Sequence, residues 1–308
     1  MINPIFESGA RRRMRTVRTP VILTAYMAAL LVFSLCMLTD FMGQGIRVAT
    51  MRLSTEWTIW ATAFQFFLVA LVAPALGAGC IAGERERQTF DLLLVTGVGT
   101  RKIVLGKLME NYLFLLLLIF SGLPVLMLAN MTGGYRVVDL LVILLYLAVI
   151  ALAALAVGMV MSVLFRRSLT AIIAAYLAIF AIGGGTWALA LRGPLAAQYT
   201  YEFIDSLSLM DPGALLFSLP VTIYLCPPVA LVMLLASQTG ILHTTMHFTM
   251  RLGDIYMVAS AAGFGKVSCV SIMAILAGAL LLIALSMALL HVQTDVRRRE
   301  KASAQKVD

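Results

Sequence analysis

Six stretches of this chain, besides a proline-interrupted one at 212–250, carry no Asp, Glu, Lys or Arg for twenty residues or more. They run from about Pro20 to Thr39, Trp57 to Ala82, Asn111 to Asn130, Leu140 to Phe165, Ser168 to Leu191, and Val267 to Val292. About 20 apolar residues in a helix cross the roughly 30 Å of bilayer hydrocarbon, so each stretch is long enough to span a membrane. In lipid every backbone N–H and C=O must be satisfied within the segment, which leaves the α-helix as the natural form for such uncharged runs. Composition agrees: 61% of the chain is hydrophobic and 12% charged, against roughly a quarter charged in soluble domains. The expected fold class is an all-α integral membrane protein with six transmembrane helices. The first run is too long for a signal-peptide core and no small-residue cleavage site follows it, so it is expected to be a retained span.

The basic residues set the expected orientation. With the N-terminus in the cytoplasm, the clusters at Arg11–Arg18, Arg85–Lys107, Arg166–Arg167 and Arg297–Lys306 all fall inside. That places seventeen of the 23 Lys and Arg residues on the cytoplasmic side and six outside. Both termini then lie in the cytoplasm. The net charge of +8 reflects this distribution, and no basic folded face of the kind that binds nucleic acid is expected. Cys36, Cys80, Cys226 and Cys269 are scattered without a C-x-x-C pair and read as small apolar core residues.

Three regions lie outside the spans. Residues 1–18 mix Ile5, Phe6, Met14 and Val17 with Arg11, Arg12, Arg13, Arg15 and Arg18, a pattern suited to an interfacial helix on the inner membrane surface, with a disordered basic tail as the competing reading. Residues 192–266 form the external region. Within it, Pro212 to Met250 carries no formal charge, and Leu216 to Ser237 is apolar enough to cross. A seventh span would move the basic tail outside, and Pro220, Pro227 and Pro228 interrupt helical bonding. A segment that dips into the outer leaflet and returns is therefore expected between the fifth and sixth spans. Residues 297–308 are expected to be a frayed cytoplasmic tail.

The cytoplasmic loop at 83–100 carries the densest charge. Glu84, Arg85, Glu86 and Arg87 stand where the second span meets water, followed by a short amphipathic piece with Phe90, Leu93 and Leu94. Gly97 and Gly99 permit a turn, and Thr100 can cap the next helix. A short helix with exposed leucines suits docking of another protein, and a solvated loop that reverses the chain is the competing reading.

The string GERERQTFDLLL at 83–94, followed by RKIVLGKL at 101–108, resembles the ABC-2 type (type V exporter) permeases of ABC transporters. The opening NPIFESGARRRMRTVRT is similar to the N-terminal connecting helix of that family. The chain departs from many relatives at Thr96–Gly99, where a more rigid proline-containing turn is usual. The resemblance implies that the whole of 1–308 is a single ABC-2 transmembrane domain. It implies that the loop forms a coupling helix seated in a groove of a cytoplasmic ATPase, through Glu84, Arg85, Glu86, Arg87, Phe90, Asp91 and Leu93. Glu84 and Glu86 would pair with basic groups of the ATPase or of the surface helix, and Phe90 and Leu93 would supply apolar contact. Two ATPase copies and a second permease, identical or homologous, would complete an exporter in the cell membrane.

The chain itself contains no G-x-x-x-x-G-K-[ST] phosphate loop, so it is expected not to be an enzyme. It would bind no cofactor, and ATP with Mg would sit in the partner ATPase. His243 and His247 stand four apart but lack the glutamate of a zinc protease motif, and no metal site is expected. Scattered serines without a nearby histidine argue against intramembrane proteolysis. Asp40, Glu110 and Asp139 fall at span ends, which weakens an ion-coupled carrier. Gln65 either lines a pathway or makes an interhelical hydrogen bond. Ala174, Ala178, Ala181 and Gly185 form a small-residue stripe on the fifth span, for packing within the subunit or, as the resemblance implies, for the dimer interface and pathway. The functional alternatives are an ATP-independent carrier or channel, and a membrane scaffold or sensor that binds an ATPase without transporting.

Overall fold

The computed structural model describes residues 18–42, 50–89, 99–130, 137–192, 227–228, 230–231, 234–235 and 261–304. The described residues are mainly helical, in seven main elements: α1 (Arg18–Met42), α2 (Thr50–Glu86), α3 (Thr100–Ser121), α4 (Leu123–Asn130), α5 (Val137–Leu164), α6 (Ser168–Arg192) and α7 (Ala261–Ala304). Six helices are long and apolar enough to cross a membrane, with α3 and α4 together making one span from Thr100 to Leu128. The third span thus begins earlier than the uncharged run from Asn111, because its first turns carry Arg101, Lys102, Lys107 and Glu110. The all-α membrane fold read from the sequence is the one observed.

The middle helix is the most apolar. α5 is the most deeply buried span and packs against α2, α3, α6 and α7. Its Ile143, Tyr146, Leu147, Leu155 and Met159 are fully enclosed. α1 and α6 lie at the periphery, with Val32, Leu177 and Phe180 exposed as lipid-facing side chains would be.

Close approach rather than hydrophobic drive holds helices together in lipid, so the seams fall at small residues. Gly77 on α2 faces Gly158 on α5. A Cβ on Gly158 would stand 2.5 Å from the Pro74 carbonyl oxygen and 3.0 Å from the Gly77 Cα, so only glycine fits that crossing. Beside it, Ala78 and Ala82 of α2 meet Ala171 and Ala175 of α6, all fully buried. Ser162 of α5 accepts from the backbone N–H groups of Ile81 and Ala82 at 2.8 Å each. On the other flank, Phe33 of α1 stacks on Phe64 of α2 with ring centroids 4.2 Å apart.

The break between α3 and α4 has a local cause. Gly122 caps α3, and Pro124 in the first turn of α4 has no N–H to continue the ladder. Gln65 of α2 fills the break, its Nε2 donating to the Ile119 carbonyl at 3.0 Å. A Cβ at residue 122 would come within 2.6 Å of that Nε2, so the glycine makes room for the amide. Gln65 thus makes an interhelical hydrogen bond.

Of the region expected to re-enter the membrane, the described residues are Pro227, Pro228, Ala230, Leu231, Leu234 and Leu235. The last four are buried in the main core, and the Tyr146 hydroxyl donates to the Pro227 carbonyl at 2.7 Å.

Candidate coupling site at the charged end of the bundle

The helix α2 ends in a hydrogen-bonded cap built from the charged motif itself. Thr89 N–H returns to the Glu84 carbonyl at 3.0 Å and Gln88 N–H to the Arg85 carbonyl at 3.1 Å. Gln88 sits at φ 59°, the left-handed position that usually takes glycine. This pair of bonds is the Schellman arrangement, and it satisfies carbonyls that a bare helix end would leave open. It also turns the chain sharply into the loop that follows.

Within that cap, consecutive side chains reach different helices. Glu84 accepts from Lys107 Nζ of α3 at 2.9 Å and from the Thr89 hydroxyl at 2.5 Å, bracing both the next span and its own turn. Arg85 points the other way. Its Nη1 donates to the Val163 carbonyl at 2.9 Å, in the last turn of α5, and its Nη2 donates to Gln293 Oε1 of α7 at 2.7 Å. Gln293 closes the triangle by donating from Nε2 to the same Val163 carbonyl at 3.3 Å. A cation at the carbonyl end of a helix is favoured by the helix dipole.

Glu86 uses the opposite pole. Its Oε2 accepts from the backbone N–H of Ser168 at 3.1 Å and from the Ser168 hydroxyl, so a carboxylate caps the N-terminus of α6. Arg87 is exposed, its charge close to those of Glu84 and Glu86. Three consecutive residues at the end of α2, Glu84 to Glu86, therefore hold α3, α5, α6 and α7 around one turn of backbone.

Sequence reasoning expected Glu84 and Glu86 to meet basic groups of an ATPase or of the surface helix. The partners in the structure are Lys107 and Ser168, in the same chain. The bonding roles of Lys107, Ser168, Ser162 and Gln293 were not anticipated from the sequence. The signal was present for Gln293, a polar residue just past the last apolar run, and for Lys107, a cation facing the acidic end of α2 in a short helix–loop–helix. The expected contact residues Phe90, Asp91 and Leu93 lie outside the described residues, as do Arg11, Arg12, Arg13 and Arg15 and the pair His243 and His247.

The seam of the fifth span to α2 uses other alanines than the stripe. Ala174, Ala178 and Gly185 are half-buried and Ala181 is exposed, whereas Ala171 and Ala175 make the seam to α2. Among the described residues no cluster of three His, Cys, Asp or Glu could hold a metal ion.

No curated protein matches the chain. The family described as ABC-2 family transporter protein matches residues 21–295, which takes in all six spans and the charged motif between the second and third. A six-helix membrane bundle of this extent, matched from its first span to its last, belongs to the ABC-2 family of transporter proteins and is an ABC-type membrane permease.

Proposed function

We propose that this chain is the transmembrane subunit of an ATP-driven exporter in the cell membrane, dimerising with a second permease and coupling to two separate cytoplasmic ATPases. The family supports association with an ABC ATPase. The observation that carries the finer reading is the fan of bonds from Glu84, Arg85 and Glu86 to four other helices. A loop that only reverses the chain needs no such anchorage. A loop that receives force from a moving partner does, because a push on it must reach the spans rather than fray one helix end.

In this reading the apolar face of Phe90 and Leu93 meets the ATPase, and the charged cap behind it transmits the movement. Glu84 carries it to α3, Arg85 to the ends of α5 and α7, and Glu86 to the start of α6. Both termini face the cytoplasm, in keeping with the excess of basic residues on that side. Release of substrate outward follows when the ATPases close and the spans shift together.

The test is purification of the tagged chain from its native membrane in mild detergent, with mass spectrometry of what accompanies it. A stoichiometric ATPase bearing phosphate-binding loops is expected, lost on Phe90→Asp with Leu93→Asp. Arg85→Gln is expected to keep the ATPase bound while lowering substrate-stimulated hydrolysis. Recovery of the chain without any ATPase, together with flux that needs no ATP, would sink the proposal in favour of a carrier. ATPase binding with hydrolysis indifferent to substrate would leave a scaffold.

A further inference from the structure

A cavity of about 520 Å³ opens between α2 and α3 at the charged end of the bundle. That volume falls within the roughly 300–1,000 Å³ of small-molecule sites. It is graded along its length. Ala75, Leu76, Gly79 and Cys80 of α2 form an apolar floor, and Glu84 and Arg87 stand at the mouth, about one and two turns past Cys80. From Ala75 to Arg87 the helix rises about 18 Å, close to the thickness of one leaflet's hydrocarbon. From α3 come Lys107, Glu110 and Asn111.

The charges of the lining are unequal in their partners. Lys107 is taken by Glu84 at 2.9 Å. Arg87 stays exposed at the rim beside Glu84 and Glu86. Asn111 donates to Cys80 Sγ and to the Lys107 carbonyl. Glu110 differs from all of these: its Oε2 is shut off from solvent and has no hydrogen-bond partner among the described residues. Because Lys107 of α3 meets Glu84 and Asn111 meets Cys80, Glu110 sits on the stretch of α3 opposite residues 80 to 84 of α2. That is below the mouth and above the apolar floor.

A carboxylate oxygen held away from water without a donor is costly, and an ionisable side chain within a membrane-embedded helix calls for a partner. The missing group is a cationic N–H donor carried on an apolar body. We propose that this cavity binds an amphipathic amine, its ammonium group donating to Glu110 and its apolar part lying over Ala75, Leu76 and Gly79. An anionic amphiphile fits poorly, since both cations of the lining already lie beside carboxylates. A neutral one fills the floor but leaves Glu110 unsatisfied. The site stands on the cavity and the orphaned oxygen alone, and it holds whether or not the chain exports.

The test uses the purified full-length chain without ATP and 4-phenylbutylammonium as probe, in equilibrium dialysis at low ionic strength. One equivalent per chain is expected. 4-Phenylbutanol and 4-phenylbutyrate are expected to bind at least tenfold more weakly, a difference of about 1.4 kcal/mol. Glu110→Gln keeps the side-chain shape and is expected to cost the amine about tenfold while leaving the alcohol unchanged. Gly79→Leu is expected to abolish binding of all three. A Cβ at residue 79 meets nothing within 4 Å and Gly79 lines the cavity, so a leucine there is expected to occupy it. Equal binding of amine and alcohol, full affinity in Glu110→Gln, or undiminished binding in Gly79→Leu would each overturn the assignment.

Discussion

Arg85 is the residue whose removal reports most directly on the charged cap. It donates to Val163 at 2.9 Å and to Gln293 at 2.7 Å, and Gln293 shares the same carbonyl at 3.3 Å. Hydrogen bonds to charged groups contribute about 1.5–3 kcal/mol each when well buried. These are half-buried, so about 1 kcal/mol each is the fitting figure, and Arg85→Gln, too short to reach both, should cost about 2 kcal/mol. Gln293→Leu removes the bond from Arg85 and its own long bond to Val163, for about 1.5 kcal/mol. If the three groups form one network, the double variant loses the shared bond only once. It should cost about 2.5 kcal/mol, a coupling of about 1 kcal/mol, where independent sites add within roughly 0.5. At roughly 2–4 °C per kcal/mol for a chain of this order, the Arg85 variant should melt about 4–8 °C lower. The assay is thermal unfolding of wild type, both single variants and the double variant in one detergent at one scan rate, since irreversible unfolding makes Tm rate-dependent. Strict additivity, or a shift below about 1 °C for Arg85→Gln, would refute the network and with it the claim that this residue ties α2 to α5 and α7.

Other outcomes follow from the same geometry. Gly158→Val should destabilise the chain by roughly 1–3 kcal/mol, because its Cβ meets backbone atoms of α2 at 2.5–3.0 Å that cannot rotate away; Tm measured beside Gly278→Val, where the added Cβ meets nothing within 4 Å, checks it. Gln88→Gly should raise stability by about 1 kcal/mol by relieving the left-handed backbone at φ 59°, read as a higher Tm with unchanged assembly. Glu86→Gln should speed amide hydrogen exchange at Ser168 and the next residues of α6 while leaving α5 unchanged, since the lost anion caps only that helix start.

The spans were legible because their signal is additive. Twenty uncharged apolar residues give one answer whatever their neighbours, and six such runs became six helices. The third span shows where that rule stops: Lys107 and Glu110 broke the run in sequence, yet the helix continues through them because Lys107 finds Glu84 across the gap. The charged motif was legible as a site but not in its partners. Glu84 and Glu86 look alike in sequence, and nothing local says that one meets a lysine 23 residues on and the other a helix start 82 residues away. Which alanines of the fifth span pack within the subunit was hidden for a related reason. Ala174 and Ala178 have the same spacing as Ala171 and Ala175, and only the rotation of α6 against α2 decides which pair is buried. The cavity at Glu110 left no mark in the sequence, because it is defined by what Gly79 and Gly83 do not fill.

The two kinds of contact at the end of α2 do different work, and the contrast bears on how the bundle can move. Glycine and alanine seams hold α2 against α5 and α6 by shape, and packed interfaces of this sort resist small deformation. The bonds from Glu84, Arg85 and Glu86 lie beyond those seams, at helix ends, where a side chain can follow its partner through a few degrees of rotation. A force applied to the loop after Thr89 therefore meets α2 and α5 first as one stiff unit, locked at Gly77 and Gly158. α3 is joined to α2 at the same end by the Lys107–Glu84 ion pair and the Asn111–Cys80 contact, with a cavity between the two helices. An occupant between those two helices would lie directly beside the Lys107–Glu84 pair, so the proposed amine site and the charged cap share Lys107, and a change at either would be felt at the other through that one side chain.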